Sequence, residues 1–388
     1  MRYRHPFLLV IFLLSLAILP THAAALDNSV FTVRDINVDI TANSAANARQ
    51  KAFETAQRKA FERLARRILR FEDASIIPAP DPRTLRRLIQ DFEIRNEKLS
   101  SVRYKANFVF RFQERAVRDY FDSQGLSYTD VGSKPVLILP FYQSAESMIL
   151  WDDKNPWLKA WSRAEGNQGL VPVTIPLGDL QDVQAIRDDE ALAYDKKTLS
   201  AMVDRYGAGE AIILIAAQPR VNLNSVMADD RARHPLTIFV YRTDRAQPEF
   251  VNKMTISPER TESRRDHFDR AVERVFNILQ KNWKEQTIVD PDEENNLRVS
   301  VAYSSLDEWV SIKDALQNVQ GLLDLKYLSI SPVRAKMQLY FKGSEQRLRL
   351  ALAQEDMILS KPKMNIGSLL GETGPGGAPL VYELKMTR

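Results

Sequence analysis

Hydrophobic and polar positions along this chain change period several times, and each change predicts an element. VFTVRDINVDI, residues 30–40, alternates and predicts a strand with Val33, Ile36, Val38 and Ile40 inward. From Ser44 the period lengthens. Ala45, Ala48, Ala52, Ala56, Ala60, Leu64 and Ile68 recur every third or fourth residue, flanked by Phe53, Phe61 and Ala65. This spacing predicts the buried face of a long helix, capped by Asn43 or Ser44. Its alanines let it lie close to a sheet. RYKANFVFRFQ supplies a strand with Tyr104, Ala106, Phe108, Phe110 and Phe112 on one face, and FEIRNEKL before it reads as the hairpin partner. ERAVRDYFDSQG reads as a short helix closed by Gly125.

After SYTDVGSKP, residues 127–135, which reads as a linker, the pattern changes. PVLILPF, LVPVTIPL and EAIILIAA are near-continuous apolar runs, as in strands buried on both faces. Helices are predicted between them: NPWLKAWSRA, with Asn155 as cap and Pro156 first, and DKKTLSAMVDRYG, stopped by Gly207. PLTIFVYRT and PEFVNKMTI predict an antiparallel pair at the sheet edge. A helix from about Thr261 to Lys284 presents Phe268, Val272, Val275, Phe276, Leu279 and Trp283. Acidic VDPDEENN, residues 289–296, reads as a second linker. Beyond it LRVSVAY, SSLDEWVSIKDALQNV, LLDLKYLSI, VRAKMQLYFKG, SEQRLRLALAQED and the strands MILSK and PLVYELKM suggest a βαββαβ order. Ser305 and Glu308 are spaced as a capping box, and GETGPGGAP at 371–379 reads as a loop. The predicted class is therefore multidomain α+β and α/β. It comprises an N-terminal α+β unit at 26–128, a central α/β unit at 129–288 and a C-terminal ferredoxin-like unit at 289–388.

The first 25 residues change the picture of where the chain works. Arg2 and Arg4 precede an apolar core from Phe7 to Leu19, and THAAA follows. That layout predicts a cleaved signal peptide, with a core shorter than the roughly 20 residues that span a bilayer. The expected location is the periplasm; the alternative is an N-terminal anchor in the inner membrane. No later run predicts a transmembrane segment. With no cysteine in the chain, disulfides, thiolate metal sites and cysteine nucleophiles are excluded. Lys and Arg number 54 against 50 Asp and Glu, and removing residues 1–25 leaves 52 against 50. So balanced a charge argues against a nucleic-acid partner.

Candidate chemistry is sparse. Only His234 and His267 lie beyond the signal, without a second ligand at helical spacing, so no metal site is predicted, and no cofactor. Phosphate loops, nucleophile elbows and dinucleotide fingerprints are missing. Trp151, Trp157 and Trp161 could stack on a glycan, but tryptophans in such a helix more often pack a core. Asp179 and Asp182, with Tyr142, Gln143 and Ser144, could line a crevice beyond the strand ends. Against this, Asp179 also suits a helix cap. An acid pair of an envelope hydrolase stays open, because such pairs meet only in space. Arg58, Lys59 and Arg66 lie on the polar back of the long helix and could face an acidic partner.

FTVRDINVDITANSAANARQKAFETAQRKAFERLARRIL, FEIRNEKLSSVRYKANFVFRF, KPVLILPFY and GLVPVTIPLGDLQD together resemble an uncharacterised family of secreted proteobacterial proteins, the domain of unknown function numbered 2066. The likeness covers most of residues 30–220 and rests on packing patterns; KPVLILPFY departs from the more tryptophan-rich strand end of that family. The resemblance implies no activity and no site residues. More loosely, the first unit is similar to modules of flagellar and lipoprotein assemblies. YGAGEAIILIAAQ is similar to strands of periplasmic Tol proteins and curli-secretion lipoproteins. The expected function is a non-enzymatic docking or scaffold role among envelope proteins. The alternatives are binding of a glycan or small solute, and hydrolysis by a carboxylate pair.

Overall fold

A bulge sets the first strand. β1 (Thr32–Thr41) breaks its pairing between Val33 and Ile36, and Asp35 there has φ 56°. The extra residue puts Val33, Ile36 and Val38 all on the buried side. α1 (Ala45–Ile68) follows, its first turn capped by Asn47 N–H donating to Ser44 Oγ. The alanine face is buried as predicted, from Ala48 to Ile68. α2 (Phe71–Ile76), α3 (Pro82–Leu88), β2 (Ile89–Leu99), β3 (Arg103–Phe112) and α4 (Glu114–Ser123) complete the first unit. Its sheet has the order β1-β3-β2, and α1 covers it.

The computed structural model of the chain describes residues 30–143, 147–164, 169–218, 234–243, 249–290, 293–361 and 380–387. The leader predicted at 1–25, Ser144 and the loop predicted at 371–379 lie outside the described residues. Within them the protein mixes helices and strands, with three sheets.

The central unit runs β4 (Val136–Gln143), β5 (Met148–Ile149), α5 (Pro156–Arg163), β6 (Val173–Thr174), α6 (Leu180–Ala185), α7 (Asp188–Leu192), α8 (Lys196–Arg205), β7 (Glu210–Ala217), β8 (Leu236–Arg242), β9 (Glu249–Ile256) and α9 (Arg264–Thr287). Sheet order is β5-β4-β7-β8-β9, with β6 also on β4. β4 and β7 are parallel, and β8 and β9 turn antiparallel at one edge. Residues of β4 alternate between two cores. Val136, Ile138 and Tyr142 meet α5 and α9, while Leu137, Leu139 and Phe141 meet α7 and α8. LVPVTIPL does not form the buried strand expected of it. Pro172 and Pro176 have no N–H to give a ladder, and only Val173–Thr174 pair.

β10 (Glu294–Ala302), α10 (Leu306–Asn318), β11 (Leu322–Ser331), β12 (Arg334–Lys342), α11 (Glu345–Gln354), β13 (Met357–Ser360) and β14 (Val381–Met386) form the last unit, in the order β11-β12-β10-β14-β13. The strand leaving α11 does not lie beside β10. It forms the sheet edge, and β14 returns between the two, parallel to β10. Ser305 Oγ accepts the Glu308 N–H as expected, while the Glu308 carboxylate takes the Ser304 N–H rather than that of Ser305.

The first segment read as a linker is largely buried, and it pairs with Val289 at the start of the second. Tyr128 bridges Leu69 on one side and Val289 on the other. Ser127, Tyr128, Thr129, Asp130, Val131 and Val289 are all buried. Thr129 Oγ1 donates to Thr287 Oγ1 at 2.7 Å. Trp283 packs against the cores of all three units, and its indole N–H donates to Val131 O at 2.7 Å. The polarity that suggested linkers instead satisfies buried backbone and charge.

Candidate interaction surface

The six side chains picked out in the central unit do not converge. Trp157 and Trp161 are buried, 5.6 Å apart edge to face. Trp157 also meets Phe268, which in turn meets Tyr142. With no ring face in solvent, Trp157 and Trp161 cannot stack on a glycan; they hold α5 against α9 and the sheet. Tyr142 is buried and receives a hydrogen bond from Arg264 while donating to Gln218. Trp151 lies on the other face of the sheet, half-buried, its N–H donating to Ile186 O.

Asp179 and Asp182 also go to structure. Asp179 caps α6, accepting from Asp182 N–H at 2.9 Å. Asp182 is wholly buried and accepts from Gly178 N–H, from Tyr206 OH at 2.7 Å and from Arg205. Burial and this carboxylate push the Tyr206 phenol up. Every acidic oxygen here has a donor, so the pair is a turn lock, separated from Tyr142 by the sheet. A cavity of about 630 Å³ does open between α5 and α9, lined by Trp161, Val173, Ile175, Asp269, Val272 and Phe276. The buried Trp161 Nε1 has no partner among the described residues.

The basic back of α1 divides in two. Lys59, Arg63 and Arg67, spaced i, i+4 and i+8, fold over the free edge of β1. Phe31 O faces β3, accepting from Phe112 N–H, so the alternate carbonyls face outward. Arg67 donates to Val30 O and Thr32 O, Arg63 to Arg34 O and Asp35 O, and Lys59 to Asn37 O. Burial lowers Arg67 to about 10 and lowers Arg63 as well. The cations thus blunt an edge strand, a role periodicity alone did not reveal. Arg58, Lys59 and Arg66 all remain exposed, although Lys59 also reaches Asn37 O.

Where the units meet, Asp130 lies between Arg347 and Arg118, its Oδ2 2.7 Å from Arg118 Nε. Burial opposes ionisation of Asp130, but Arg347 and then Arg118 hold its carboxyl below the ordinary range. A cavity of about 590 Å³ adjoins them. Arg118, Asp130, Lys342 and Arg347 on its wall are already ion-paired with protein groups, leaving none of these four charges for a ligand.

The surface that calls for an occupant is elsewhere, and the sequence reading passed over it. β11 is an edge strand exposed along both faces. Bulges fall at Leu323 and Leu328, between its paired residues. Leu325, Tyr327 and Ile330 lie opposite the buried Leu339, Met337 and Ala335, hence on the helix side of the sheet. Ile330 is nevertheless 59% exposed. Tyr327 touches Trp309 of α10 at 6.1 Å, and Trp309 stacks on Tyr303 at 5.0 Å. On that same flank of α10, Leu306 is 74% and Val310 46% exposed. Sheet edge and helix flank make an apolar ridge whose outer backbone has no strand partner among the described residues, with the Leu325 N–H taken by Asp324 Oδ1. The missed signal was LLDLKYLSIS itself, which is apolar on both of its alternating faces although its partner strand buries only one.

No family model, curated protein or solved structure matches the chain.

Proposed function

We propose that this chain is a non-enzymatic periplasmic protein that docks on other proteins of the cell envelope, a secreted protein of the 2066 type. Its C-terminal unit is a ferredoxin-like variant with one inserted strand. The observation that carries the reading is the ridge of β11 and α10: exposed Leu306, Val310, Tyr327 and Ile330 beside an open strand edge. Contiguous apolar surface of this kind marks protein contact sites, and an open edge offers main-chain hydrogen bonds to an added strand. Export is read from Arg2, Arg4 and the apolar core that follows.

The test is cell fractionation followed by crosslinking and pull-down of the full-length chain. Recovery from the periplasm with a reproducible envelope partner, lost on Tyr327→Asp with Ile330→Asp, supports the reading. A cytoplasmic protein, or capture unaffected by these changes, overturns it.

A second reading is binding of a small solute in the cavity of about 630 Å³ between α5 and α9, whose lining joins apolar Val173, Ile175, Val272 and Phe276 to the charged Asp269 and Glu273. It predicts that soluble muropeptides change tryptophan fluorescence, and that Val272→Trp abolishes the change.

A further inference from the structure

The geometry points to a second copy of this chain as the occupant of the β11 edge. The inference rests on the docking role proposed above and names the partner. Between its two bulges β11 is regular, with Asp324, Leu325, Lys326 and Tyr327 paired in unbroken register on β12. Laid antiparallel against itself about Leu325, this stretch is self-complementary. Leu325 faces its own copy, Asp324 faces Lys326, and by symmetry Lys326 faces Asp324. Opposite charges directly across an antiparallel pair attract and like charges repel, so this register is favoured over neighbouring ones. Moving the centre to Lys326 sets Lys326 against itself and Asp324 against Leu328, which loses both ion pairs.

The helices fit the same symmetry. Pairing two edges about a two-fold axis normal to the sheet leaves both α10 helices on one side. Trp309 contacts Tyr327 on β11, so the flank of α10 beyond Trp309 overhangs the seam. Leu306 and Val310, one turn apart on that flank and exposed in the single chain, would then meet their copies. A contact in which the same patch is used by both subunits closes on itself and does not propagate into fibres. The bulges at Leu323 and Leu328 restrict pairing to the short stretch between them. The product is a sheet continuous across two chains with one apolar seam.

The test is sedimentation equilibrium of the mature chain between about 1 and 100 μM, the range in which moderate interfaces are populated. The expected result is a reversible dimer. Asp324→Lys and Lys326→Asp, each alone, set like charges against each other and should weaken dimerisation about tenfold, with circular dichroism unchanged. The double variant Asp324→Lys/Lys326→Asp is self-complementary again and should restore it. A monomer throughout the range overturns the inference, as does a dimer insensitive to the single variants. Capture of a foreign envelope protein by a chain that stays monomeric also overturns it while leaving the docking role intact; loss of both removes the docking role itself.

Discussion

Arg347 and Asp130 form an ion pair that both side chains bury almost completely, 217 residues apart in the chain. Arg347 also donates to Thr287 O at 3.1 Å and Lys342 O at 2.9 Å. One guanidinium thus ties the segment after the first unit, the end of α9 and the last sheet. Asp130→Asn strands a buried cation and should destabilise the protein by about 3–5 kcal/mol, read by urea denaturation. Asp130→Leu with Arg347→Met should be milder than the sum of the single changes; additivity would show that the pair is not coupled. Because the Asp130 carboxyl is held low, its contribution is complete above the ordinary carboxylate pKa and fades as pH falls through the folded value.

Gly321 is the floor under that guanidinium. It has φ +82°, and an added Cβ would stand 2.0 Å from Arg347 Nη1. Gly321→Ala must both hold a left-handed backbone and displace the arginine. The expected loss is about 1–3 kcal/mol, measured by thermal unfolding. Gly207→Ala serves as control, since its φ of +58° is similar but nothing lies within 4 Å. Equal losses would mean that Arg347 moves aside freely.

Lys284 predicts an alkaline effect of definite sign. Its ammonium donates to Arg66 O and Leu69 O at the end of α1, and burial pushes it down to about 8 from 10.5. Between those values the unfolded chain holds more protons than the folded one, so stability rises with pH across that window. Lys284→Met should flatten the rise relative to the native chain. Parallel curves of melting temperature against pH for the two proteins would refute it.

Cations of α1 should separate by what they touch. Arg67→Met leaves the Val30 and Thr32 carbonyls without their charged donor and should lose about 1–3 kcal/mol. Arg58→Glu with Arg66→Glu changes only exposed side chains and should stay within about 0.5 kcal/mol of the native chain. Chemical denaturation ranks them, and the reverse order would show the buried side of the helix to be misplaced.

These contrasts mark what was legible in the sequence. Periodicity located the face of α1, the strands β3, β4, β7 and β12, and the caps Ser44, Asn155 and Ser305, because local spacing is itself the signal. It missed the junction. In SYTDVGSKP, Tyr128, Thr129 and Asp130 resemble a linker because their partners Val289, Thr287 and Arg347 are far away in sequence. It favoured a core role for Trp157 and Trp161 but left ligand contact open, since spacing cannot say whether a face meets a sheet or solvent. β11 was recognised as a strand, but its place at the edge comes from the sheet order alone.

The central claim is that β11 and α10 form a docking surface, and site-specific photocrosslinking in intact cells tests it most directly. A photoreactive residue is placed at Tyr327, or as control at Ile358 on the opposite sheet edge, which is 53% exposed. The account predicts a discrete protein adduct from position 327 and none from 358. Adducts from 358 with none from 327 would contradict it.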